Sequence, residues 1–106
     1  MFPVRQFVER FGEILSELDD LVHAVEDDEA AEDLEDLNAE LEDAIMLLTE
    51  LKPDAEDWQE DLSGTLEDLR ALAGDYRALA NSVPGVSPLA RRLDMAAGLA
   101  LGSIRE

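Results

Sequence analysis

Between residues 4 and 25, every position that a helix would turn toward a neighbour is apolar. With heptad position a assigned to Val4, Phe11, Leu18 and Val25, position d is Phe7, Ile14 and Leu21, and position e is Val8, Leu15 and Val22. A stripe this wide is not the alternation of a strand, and its burial needs a neighbouring element, so it calls for a helix packed in a bundle. Proline suits a first helical turn, and the spacing predicts a helix from about Pro3 to Val25.

The phase breaks at Glu26-Asp-Asp-Glu29. It resumes with a at Leu34, Leu41 and Leu48, d at Leu37, Ala44 and Leu51, and e at Asn38 and Ile45. Leu18 to Val25 is a step of seven, but Val25 to Leu34 is a step of nine, so one straight helix would lose its seam. A turn capped by Asp27 or Asp28 repairs this most simply, and a bent continuous helix is the alternative. Pro53 ends the second helix, and Asp54 is the expected N-cap of a third. The third has Ala55, Leu62, Leu69, Tyr76 and Val83 at a, Trp58, Thr65, Leu72 and Leu79 at d, and Leu66, Ala73 and Ala80 at e. Gly64 and Gly74 fall on its solvent side, each weakening it by about 1 kcal/mol relative to Ala. Ser82-Val-Pro-Gly-Val-Ser-Pro88 then interrupts the pattern. Ser87-Pro88 could cap a short helix containing Leu89, Arg92, Leu93 and Ala96, frayed by Gly98 and Gly102.

The expected architecture is therefore all-α. Residues 1–83 form an acidic, antiparallel three-helix bundle, and residues 84–106 a Pro/Gly break followed by an apolar C-terminal segment, either a short helix or an extended tail. Ile45-Met46-Leu47-Leu48, apolar on all sides of the second helix, predicts an extra contact surface and a possible homo-oligomer face.

Charge narrows the partners. The chain has 27 acids against 8 bases, a formal net charge of −19. Residues 26–61 hold 17 of those acids against Lys52 alone, a net −16, whereas residues 1–25 carry −3 and residues 62–106 balance to zero. Such a field repels nucleic acid and acidic membranes and attracts cations or basic protein surfaces. The absence of cysteine excludes disulfides and thiolate metal sites, and it makes the cytoplasm the expected location. The opening Met-Phe-Pro-Val-Arg does not read as a signal peptide, and no apolar run approaches a membrane span.

No residue set reads as catalytic, cofactor-binding or metal-binding. A di-iron bundle site needs Glu and Glu-x-x-His groups projecting inward. Here Glu32, Asp33, Glu35, Asp36, Glu40, Glu42, Asp43 and Glu50 occupy only positions b, c, f and g. Asp20-Leu-Val-His23 has a suitable spacing, but both polar residues face outward, and His23 is the only histidine. Loose, unspecific adsorption of Ca²⁺, Mg²⁺ or iron on the acidic face is what remains. Ser16, Ser63, Ser82, Ser87 and Ser103 lack the histidine partners of a nucleophile. Gly98-x-x-x-Gly102 lacks the Lys-Ser/Thr of a phosphate loop.

The final stretch differs in character. In an extended chain Leu99 and Leu101 point to one side, while Gly102-Ser103 permits a turn that re-aims Ile104. Leu99-Ala-Leu-Gly-Ser-Ile-Arg105 resembles the C-terminal targeting peptides of encapsulin cargo proteins: apolar, small, apolar, Gly, Ser, Leu or Ile, then a basic residue. That resemblance implies that Leu99, Leu101 and Ile104 anchor in the inner wall of a protein shell. It also implies that Gly102 and Ser103 shape the bend, that Arg105 makes a polar rim contact, and that the chain resides inside the shell. It covers seven residues, with Ile104 where Leu is commoner, and the rest of the chain lacks the ligands of the usual cargo enzymes. The competing structural reading makes Leu93, Ala97, Ala100 and Ile104 the apolar stripe of a fourth helix.

Two further readings compete with cargo. Small acidic helical chains resemble DNA-mimic inhibitors of the antirestriction and anti-CRISPR type, in which surface carboxylates stand in for phosphates in a basic cleft. Glu32, Asp33, Asp36, Glu40 and Asp43 are the candidate face. Alternatively, one Lys against seven Arg among many acids resembles a plain acidic structural domain from a salt-adapted organism.

Overall fold

In the computed structural model, residues 4–52 and 56–105 are described, residue 105 by its backbone alone. Four helices follow in order: α1 (Val4–Ala24), α2 (Asp28–Glu50), α3 (Trp58–Ala78) and α4 (Val86–Arg105). Among the described residues there is no strand. Each helix packs on the next, and α4 closes the ring by packing on α1, while the backbones of the diagonal pairs α1–α3 and α2–α4 do not approach closely. The particle is elongated, 46 × 21 × 18 Å.

The turn expected at Glu26–Glu29 is present. The side chain of Asp27 accepts a 3.0 Å hydrogen bond from the Glu29 amide, satisfying one of the free donors at the start of α2. A bent continuous helix is thereby replaced by two helices joined through residues 25–27. The expected cap at Asp54 lies outside the described residues. Asp57 occupies the N-cap position of α3 without a side-chain cap bond.

The C-terminal half departs from expectation, because the bundle has four helices and not three. The final segment is neither a short helix nor an extended tail but a helix of 20 residues that runs to Arg105. It begins at Val86, ahead of the Ser87-Pro88 pair expected to cap it. Pro88 lies in the first turn, where a missing amide costs nothing. Gly98 and Gly102 do not interrupt the helix. The reason is burial: Val86, Ala90, Leu93, Ala96, Ala97, Ala100 and Leu101 all point into the common core. Removing that stripe from water outweighs about 1 kcal/mol of lost propensity per glycine. In the turn before α4, Val83 is fully buried and Gly85 takes φ = +93°, a conformation L side chains rarely adopt.

The core follows the heptad reading closely elsewhere. Phe11, Ile14 and Leu18 from α1, Leu34, Leu41 and Leu48 from α2, and Leu62, Leu66, Leu69 and Tyr76 from α3 are almost wholly buried. No helix is long and apolar enough to cross a membrane, among the described residues.

Candidate functional site

Every Asp and Glu of α2 is exposed, and the helix contains no basic residue. The apolar positions a, d and e face the bundle, which leaves b, c, f and g for carboxylates, so Glu32, Asp33, Asp36, Glu40 and Asp43 share the outer surface. Among the described residues none of them pairs with a cation. Ion pairs lie elsewhere: Arg70 with Asp94 at 3.2 Å, tying α3 to α4, and Arg92 with Glu17, tying α4 to α1. Arg70 and Arg92 thus fasten the fourth helix, and the α2 charge stands uncompensated among the described residues. No three carboxylate or histidine side chains converge in a way that could hold a metal ion, among the described residues. His23 is exposed at the end of α1.

The structure separates the residues of the C-terminal motif. Leu99 projects outward, 59% exposed, whereas Leu101 turns inward and is only 5% exposed. Two residues apart on a helix means about 200° of rotation, so the extended geometry that would put both on one side is not the one adopted. Ile104 packs against the core, and Gly102 and Ser103 are exposed. The side chain of Arg105 lies outside the described residues. Leu93, Ala97, Ala100 and Ile104 form the inward stripe that the fourth-helix reading required. Gly98 and Gly102 are not there for close packing, because a Cβ at either would meet nothing within 4 Å.

The quartet at the end of α2 is likewise divided. Leu48 is in the core and Ile45 is half-buried, but Met46 and Leu47 are 52% and 58% exposed. Leu47 lines two adjoining hollows between α2 and α3, one extending to Trp58 and the other toward Asp75.

One arrangement was not foreseen from the residues. The Tyr76 hydroxyl donates a 2.7 Å hydrogen bond to Asn38 Oδ1, and Asn38 Nδ2 donates at 3.0 Å to Asp19 Oδ1. This chain links α3, α2 and α1 and leaves no buried side-chain polar atom unsatisfied among the described residues. Burial, with the carboxylates of Asp19 and Glu40 nearby, pushes the Tyr76 phenol far above its ordinary range, so it stays protonated. The available signal was two polar groups at stripe positions, Asn38 at e and Tyr76 at a. A buried asparagine needs partners, but heptad letters do not say which.

No protein-family model, curated protein or solved structure matches this chain.

Proposed function

We propose that the chain is a non-catalytic interaction module that engages a basic protein surface through the outer face of α2, in the manner of a nucleic-acid mimic. The supporting observation is the bare charge of that helix. Ten carboxylates, none paired among the described residues, are distributed over 23 residues. At about 1.5 Å per residue this is roughly one charge per 3.5 Å, close to the spacing of about 3.4 Å per phosphate along one DNA strand. In this reading the helices run up and down in an antiparallel course, so that α1 and α3 flank α2 and hold its carboxylates outward. The partner is a cationic cleft that otherwise receives a phosphate backbone.

Competition tests this. A basic DNA-binding domain holding a fluorescent duplex is titrated with the chain at low and at physiological salt. Displacement is expected, weakening steeply with salt. It should be lost in the variant Asp33→Asn, Asp36→Asn, Glu40→Gln, Asp43→Asn. Equal displacement by that variant and the parent chain would overturn the reading.

Docking of Leu99–Arg105 as encapsulin-type cargo is a second proposal. Two observations favour it: Leu99 already faces outward, and Gly98 and Gly102 make the last turns of α4 cheap to unwind. It requires Leu101 and Ile104 to leave the core, at a cost of about 2 kcal/mol for Leu101 alone. Co-purification of a residues 88–106 fusion with an encapsulin shell supports it, and a fusion left outside the shell opposes it.

A further inference from the structure

The seam between α2 and α3 carries two properties together. Along it run contiguous hollows of about 520 and 370 Å³ that share Leu47. Their apolar lining comes from Ala44, Leu47, Leu51, Trp58, Leu69 and Leu72. Both banks are acidic: Glu40, Asp43 and Glu50 stand on the α2 side, and Asp61, Asp68 and Asp75 on the α3 side, with Lys52 as the one base lining it. Leu47, more than half exposed, is a large apolar side chain held at the centre of this channel. From Glu40 to Leu51 the channel follows about 16 Å of helix, enough for three turns of an added helix.

We propose that this groove is the docking site of a cationic amphipathic helix on a partner protein. Leu47 and Trp58 take its apolar face, and the carboxylates on the two banks take its lysines or arginines. This is the helix-in-groove mode of recognition, with charge complementarity on both flanks selecting the sign of the ligand. A second copy of this chain is a poor occupant, because each copy carries a net charge of −19. An anionic lipid surface is repelled for the same reason. The proposal deepens the reading of the α2 face as a binder of basic proteins and rests on it. It adds an apolar seat that a phosphate-imitating surface alone does not need.

The chain's single tryptophan lies at one end of the groove and serves as the reporter. The full chain is titrated with a peptide of leucine and lysine only, about 14 residues long and roughly 21 Å as a helix, with leucines at helical spacing. An isomer of identical composition with scrambled order is the control. The patterned peptide is expected to move Trp58 emission to shorter wavelength, to gain helicity, and to bind about tenfold more tightly than the scrambled one. Leu47→Ser should abolish that preference while leaving the melting temperature unchanged, since the side chain is exposed. Leu99→Ser, in the groove between α1 and α4, should retain it. Equal binding of the two peptides, or a preference that survives Leu47→Ser, overturns the groove while sparing the electrostatic reading. Failure of both peptides to bind at low salt overturns both. A concentration-dependent dimer of the free chain that Leu47→Ser removes would show that a second copy fills the groove, and this also overturns the proposal.

Discussion

The Tyr76 hydroxyl stands 2.7 Å from Asn38 Oδ1, and this bond crosses the seam between α3 and α2 inside an otherwise apolar core. Neither group can be satisfied by water, because Tyr76 is fully buried and Asn38 nearly so. The pair therefore fixes how the two helices slide and rotate against each other: any other register strands a donor and an acceptor.

Breaking one side of that pair should cost more than removing both. Tyr76→Phe leaves Asn38 Oδ1 without its donor and should lower stability by about 1–2 kcal/mol, and Asn38→Leu, which strands the Tyr76 hydroxyl, by about 1–3 kcal/mol. The double variant Tyr76→Phe, Asn38→Leu should recover much of the loss. Chemical denaturation of the four proteins in a double-mutant cycle measures the coupling, and strict additivity would contradict it.

The same phenol sets an alkaline limit. Its pKa in the folded chain is raised above the unfolded value of about 10. The stability it contributes is fully present below that pH, because both states then hold the proton. As pH rises above about 10, the unfolded chain ionises and the folded chain does not, so unfolding gains ground. Tyr76 is the only tyrosine, and tyrosinate absorbance should thus appear together with loss of helix. Tyr76→Phe should flatten the stability profile above pH 10.

Salt should stabilise the fold. Glu29 and Asp33, Glu32 and Asp36, and Asp36 and Glu40 lie four apart on α2 with every side chain exposed, a spacing that costs a few tenths of a kcal/mol per like-charged pair. Screening within about 10 Å at 0.1 M weakens these repulsions. The melting temperature is expected to rise by several degrees between low and physiological salt, as differential scanning calorimetry would record. An unchanged value would count against the bare-charge description of α2.

Glycines on and beside α4 should respond with opposite signs. Gly98→Ala and Gly102→Ala place a methyl group in open space on a helix and should each stabilise by up to about 1 kcal/mol. Gly85→Ala must adopt φ = +93° and should destabilise by about 1 kcal/mol or more. Thermal melts of the three variants read this directly. If the last turns of α4 must unwind to dock on a shell, the two stabilising variants should also reduce uptake.

The inner face of α4 should behave as core. Leu93→Ala is expected to cost about 2–5 kcal/mol, and Leu101→Ala to fall at the low end of that range, since both side chains leave a cavity. Leu99→Ser, at an exposed site two residues from Leu101, should change stability by less than about 0.5 kcal/mol. Equal effects at Leu99 and Leu101 would mean that the segment is not helical in solution.

Much of this fold was legible from local chemistry. The stripes of α1, α2 and α3 follow from apolar residues at helical spacing, which bury one face whatever the neighbour. The α1–α2 turn follows from a nine-residue step that no straight helix accommodates and from an aspartate able to cap. The outward placement of the α2 carboxylates follows too, since desolvating unpaired charge costs far more than a helix gains. Met46 and Leu47 could be marked as surplus apolar surface, but Leu47 could not be placed in a groove, because the opposite wall belongs to α3.

What the residues alone settled about this protein is its helical class, the inward and outward faces of its first three helices, and the concentration of negative charge on the second. The tertiary structure decided the fate of residues 86–105. Their local signals conflict: two glycines favour fraying and an alternating Leu99-Ala-Leu101 favours an extended peptide, yet Leu93, Ala97, Ala100 and Ile104 also form a stripe. Only an apolar seat between α1 and α3 resolves that conflict, because burial of the stripe outweighs the weak preferences of the backbone. The same assembly chose the partners of Tyr76, Arg70 and Arg92. Those bonds join residues 24 or more positions apart, where spacing in the chain carries no information about distance in space.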